Sequence, residues 1–170
     1  MQYLINLFPS VDMFILFAFI IVLLLHLVFV KKTKLLVDII AVYTSFILVI
    51  LAPMLYPPFH SWLLTHPHLR VSSFVGLIVL LHVLLSFSNI ANISSRIKPF
   101  TFATSFIYRL AIVGLMFTGV LYFLPADVRS ELGQISHALF SNFWAMVIWF
   151  VLPFVLVFVY RFKTNDGWLE

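Results

Sequence analysis

The chain has 170 residues, 64% of them hydrophobic and 9% charged, with a mean hydropathy of +1.15 and a formal net charge of +4. Soluble domains are about half apolar and about a quarter charged, and so short a chain has too little interior to hide this much apolar surface, which argues against a soluble helical bundle and for lipid as the solvent of most side chains. The absence of cysteine excludes disulfides, thiolate metal sites and cysteine nucleophiles, and the small basic excess fits cytoplasmic loops beside anionic lipid rather than nucleic acid.

Met1 to Asp12 holds no Lys or Arg, and the basic cluster follows the first apolar run. That order is the reverse of a cleaved signal peptide. Crossing the hydrocarbon takes about 20 apolar residues at about 1.5 Å rise each, and five segments qualify. The first runs from about Val11 to Val30, with Asp12 in its first turn, where a carboxylate suits the helix dipole. The second runs from Leu35 to Tyr56 and ends in Ala-Pro-Met-Leu-Tyr-Pro-Pro; the third runs from Ser72 to Ile90. The fourth runs from Phe102 to Leu124 and stops before Pro125. The fifth runs from Ala138 to Tyr160, where Pro153 predicts a kink. Between spans, Pro57 to Arg70 is apolar enough for the interface, and the stretch after Pro125 reads as a short helix with Ala126 or Asp127 near its start. There is no internal repeat, so the expectation is one all-α polytopic membrane domain over 1–170.

The basic residues orient it. Lys31, Lys32, Lys34, Arg96, Lys98, Arg109, Arg161 and Lys163 fall on one side, and Arg70 and Arg129 on the other. Short loops obey the positive-inside rule, which predicts an outside N-terminus and a cytoplasmic C-terminus. Tyr56, Trp62, Tyr122 and Tyr160 lie at span ends, as interfacial aromatics do.

Ionisable groups inside spans are expensive in lipid. Asp38 lies about one turn into span two and Arg109 about two turns into span four, both toward the lysine side. An intramembrane ion pair between them would spare both charges. The alternatives are Asp38 with Lys34 one turn away, Arg109 reaching to headgroups, or a proton or ion relay through Asp38. His26 and His82 invite a haem reading, since a membrane haem needs two facing imidazoles at one depth. With the third span drawn to Ile90, His82 lies nearer the middle than His26 by roughly a 5.4 Å turn, so the expectation is no haem and imidazoles bonded to neighbouring helices. His60, His66 and His68 are weak metal candidates without a nearby carboxylate. Gly76, Ser86, Asn89, Gly114, Thr118 and Gly119 mark close helix packing, or a cavity or path between spans three and four. No cofactor is expected, and no nucleophile with its base, phosphate loop or zinc-protease helix is found.

Val11-Asp12-Met13 opening an apolar helix, the turn Lys31-Lys32-Thr33-Lys34 and the helix end Ala52-Pro53 resemble the colicin V production family. Arg109 with Gly114 and Gly119, followed by Leu124-Pro125 and the Ser136 to Ser141 turn, extends the likeness over about residues 8–141. The family's Gly and Arg-Gly pair at the first turn and its Gly-rich signature before the fourth span are missing, and the fifth span is additional. The resemblance implies an inner-membrane protein linked to export or envelope processes, without a settled catalytic set. The functional expectation is a non-enzymatic scaffold or accessory subunit touching other membrane proteins or copies of itself. A small oligomeric transporter or channel with a path near Asp38, Asn89 and Arg109 comes second, and a haem-binding electron-transfer subunit third.

Overall fold

The structure is a computed structural model that describes residues 11–56, 66, 68–96 and 102–163, with side chains at all of these except 95, 96 and 159–163. Every regular element among the described residues is helical. Helix α1 spans Val11–Phe29, a 3₁₀ turn covers Lys32–Lys34, and α2 spans Leu35–Leu55. Helix α3 covers His68–Ser86, α4 Asn89–Arg96 and α5 Phe102–Phe123. The short helices α6, Ala126–Ser130, and α7, Gln134–Ser136, lead into a π-helical turn at His137–Ser141 and then α8, Phe143–Lys163.

Helices α1, α2, α3 and α5 are each long and apolar enough to cross a bilayer; the bent pair 134–141 and 143–158 adds a fifth such segment if taken as one. The expected start of the fifth span at Ala138 is displaced. The chain breaks at Asn142 with a bend of 44°, whereas α8 continues as a helix through Pro153. Each terminus has a local cause. Tyr56 leaves α2 in an extended conformation, φ −135° and ψ 95°, which is what a residue preceding Pro57 must adopt. Helix α5 ends at Phe123 just before Leu124-Pro125, and Pro125 begins α6. The predicted short helix after Pro125 is thus present from Ala126.

Helix α3 stops at Ser86 rather than Ile90. Its last turn tightens through bonds from Phe87 N–H to the Leu84 carbonyl and from Ser88 N–H to that of Leu85, both 3.2 Å. The Ser88 hydroxyl then accepts from Ile90 N–H at 3.2 Å, an N-cap that starts α4. The backbone there favours a serine cap over one more apolar turn.

Helix α5 is the axis of the bundle, packing against α1, α2, α3 and α8. The core runs through Leu35, Ile39, Val42 and Val49 of α2, Phe74 and Ile78 of α3, and Tyr108, Ile112, Leu115 and Phe123 of α5. Helix α8 is tied on by hydroxyls. Tyr108 donates to the Leu156 carbonyl at 2.6 Å, and Tyr43 of α2 donates to the Phe150 carbonyl. In a bilayer core, where there is no water, such bonds would satisfy groups that solvent cannot.

Candidate functional site

One end of the bundle gathers the basic turn and most of the buried polarity. Asp38 sits one turn into α2, His26 one turn before the end of α1, and His82 one turn before the end of α3. Nδ1 of His82 bonds Oδ1 of Asp38. Nε2 of His26 lies 3.2 Å from Oδ2 of the same carboxylate, within ion-pair reach though off hydrogen-bond alignment; neither atom has a hydrogen-bond partner among the described residues. Asp38 and His26 are almost wholly enclosed, while a third of the His82 side chain is open to the outside.

Arg109 enters from α5 and is 4% exposed. One terminal nitrogen donates to the carbonyl of His26 and the other to the carbonyl of Val30 at 2.7 Å. Nε reaches the Ser105 hydroxyl at 3.4 Å. The carbonyls closing α1 are among those a helix leaves without intrahelical donors, and the dipole there favours a cation. A guanidinium, with its fixed fork of donors, can serve two of them together. Arg109 also lies 3.5 Å from Nδ1 of His26. Guanidinium only donates, so a bond at this contact requires that nitrogen to accept and places the His26 proton on Nε2, facing Asp38. A polar chain therefore runs Arg109, His26, Asp38, His82 and joins four helices.

This arrangement corrects several expectations. Asp38 and Arg109 do not pair directly; His26 stands between them, supplying imidazole to one and a carbonyl to the other. Lys34 does not pair with Asp38 either. Its ammonium group donates to the Ser86 carbonyl at 2.8 Å, closing the C-terminus of α3 as Arg109 closes that of α1. His26 and His82 are not a turn apart in depth, because the Ser88 cap ends α3 early and leaves His82 four residues from its end. Asp38 occupies the space between the two imidazoles, where bis-histidine ligation would need the porphyrin, so these residues in this arrangement do not fit a haem.

The small residues divide among three roles. A Cβ on Gly114 would fall 2.1 Å from the Trp149 ring, and one on Gly119 would fall 2.5 Å from the Phe74 ring. Both glycines are close-contact points, with α8 and α3 respectively. Gly76 faces open space. It lines a groove of about 580 Å³ between α2 and α3, with Leu48, Ala52, Leu77 and Leu80. The groove thus lies between the second and third long helices, not the third and fourth. Thr118 is fully buried on α5, and its hydroxyl and that of Ser86 lack partners among the described residues. Asn89 is exposed at the first residue of α4. His66 and His68 are exposed and His60 lies outside the described residues, among which no three His, Asp or Glu side chains are grouped to hold a metal ion.

Sequence reasoning ranked Asp38 and Arg109 as informative and missed that the histidines join them. For His26 the signal was available in its position within one turn of a helix end on the lysine side; for His82 it was hidden by drawing the third span to Ile90. No protein-family model matches the chain, and neither a curated protein nor a solved structure matches it.

Proposed function

We propose that the chain crosses a bacterial-type inner membrane five times, counting the bent segment 134–163 as one crossing, with its N-terminus outside and its C-terminus in the cytoplasm. In this reading it works as a scaffold or accessory subunit that engages other membrane proteins, or further copies of itself, through helix faces. The observation that carries it is the division of α1 and α3, each 11% buried over its spanning window, from α2 and α5, at 44% and 61%. Their polar groups turn inward into the four-helix chain, while Phe14, Phe17, Leu24 and Val28 of α1 and Val79, Leu80 and Leu84 of α3 stay uncovered. The likeness to the colicin V production family belongs with this reading and adds the envelope setting. The test is photocrosslinking in native membranes from probes at Phe17 and Leu84. A discrete protein adduct is expected; adducts to lipid alone overturn the reading.

A second reading is favoured by the carboxylate held between two imidazoles, one of them partly open. Chains of Asp and His in the hydrocarbon region serve as proton relays in pumps and transporters. As a proton-transfer element, His82 would exchange protons at the open side and Asp38 would pass them to His26. Dye-loaded liposomes containing this chain alone would then acidify under an imposed potential, and Asp38→Asn would cut the rate at least about a hundredfold, the low end of what one positioned proton-transfer group contributes. A rate equal to that of empty liposomes ends this reading.

A further inference from the structure

The end of the bundle away from the lysine turn carries a second built feature. Arg70, in the first turn of α3, and Arg129, on α6, line one cavity of about 350 Å³ together with Tyr122, Pro53 and Met54. Nε of Arg70 is buried without a hydrogen-bond partner. Neither arginine forms an ion pair among the described residues, and Asp127 and Glu131, which flank Arg129 in sequence, are exposed. Arg70 and Val49 also line the apolar groove between α2 and α3, so the two spaces adjoin at these residues. One space therefore offers two guanidinium groups without an ion-pair partner among the described residues, and the other an open groove of Leu, Ala and Gly between α2 and α3.

We infer that this paired site binds one anionic phospholipid, with its phosphate between Arg70 and Arg129 and an acyl chain in the α2–α3 groove beside Gly76. Charge complementarity selects the occupant. A buried N–H donor without an acceptor, such as Nε of Arg70, is costly, and a phosphate oxygen is the acceptor whose geometry a guanidinium fork matches. An apolar helix of a second copy would fill the groove but leave both cations unanswered. Gly76 leaves room for the chain, because no atom lies within 4 Å of where its Cβ would be.

The test uses the full chain with Lys31→Gln and Lys32→Gln, which removes exposed charge at the far end. Native mass spectrometry from mild detergent compares phosphatidylglycerol with phosphatidylcholine of the same acyl chains. The expected result is one phosphatidylglycerol retained at least fivefold more strongly than phosphatidylcholine. Adding Arg70→Gln and Arg129→Gln should abolish the preference, and Gly76→Leu should lower retention of both lipids without shifting the unfolding temperature. Soluble glycerol phosphate, which has the headgroup charge and no tails, should not displace the lipid. Equal retention of the two lipids overturns the inference, as does a preference that survives the arginine changes. Displacement by glycerol phosphate, or Gly76→Leu without effect, overturns the place of the acyl chain in it.

Discussion

Helices α1 and α5 lie side by side and follow opposite rules. The most apolar helix, α1, is 11% buried over its best spanning window, and the less apolar α5 is 61% buried over its own. In a water-soluble protein the order would be reversed. Lipid tails are as apolar as leucine, so an aliphatic side chain gains nothing by leaving them for the protein interior. Close packing and satisfied polar groups decide instead, and α5 supplies both. Ala111, Gly114, Thr118 and Gly119 let neighbours approach, and Arg109 brings donors to α1. Helix α1 is held at its two polar ends, by the carbonyls of His26 and Val30 and by Asp12, whose carboxylate accepts from the N–H groups of Ile135 and Ser136 at 3.1 and 2.9 Å.

The largest effect should come from cutting the polar chain. Asp38→Leu strips His26 and His82 of their acceptor and Arg109 of a nearby counter-charge, so thermal unfolding in detergent should show a loss of about 3–5 kcal/mol. Asp38→Asn, which keeps a carbonyl oxygen for His82, should lose less. Unfolding of Asp38→Leu at the wild-type temperature would mean that packing, not polarity, joins α1 to the bundle. Next in size is Gly114→Leu. The new side chain meets the Trp149 ring, which is itself anchored by its Nε1–H bond to the Leu139 carbonyl at 2.7 Å. Overpacking of this kind costs about 1–3 kcal/mol, whereas Gly76→Leu in the same assay should stay within about 0.5 kcal/mol. Equal effects at the two glycines would remove the distinction between a packed interior and an open groove. Below Gly114→Leu comes Asp12→Ala, at about 1 kcal/mol, the usual cost of losing a side-chain acceptor for terminal N–H groups. Its sharper readout is amide exchange, which should quicken at Ile135 and Ser136 and stay unchanged at Val37 and Asp38.

Hydropathy and proline placement made the helices readable, because lipid demands long apolar segments and proline stops them at Tyr56 and Phe123. Partners were less readable. Arg109 bonds to main-chain carbonyls, and no residue type marks a carbonyl as an acceptor. His82 came out at the wrong depth because a serine hydroxyl, not hydropathy, ends α3. Gly76, Gly114 and Gly119 look alike in sequence, and only the rings of Trp149 and Phe74 separate the two that touch from the one that does not. The π turn before Asn142 was not legible either, since Ala138 to Ser141 continues the apolar run.

Arg109 closes the end of α1 from 83 residues further along the chain than His26 and 79 further than Val30. During synthesis α1, α2 and α3 are all made before that guanidinium exists. The last carbonyls of α1 must then wait at the membrane surface, where headgroups or water can serve them, until α5 arrives. The expectation is that insertion of the first helices precedes closure of the bundle, which the fourth long helix completes. A chain arrested before Phe102 should integrate into the bilayer with α1 tied to α2 by the short lysine turn and the His26–Asp38 contact, but with its last carbonyls unserved by Arg109, a membrane intermediate on which a quality-control protease or an assembly partner could act.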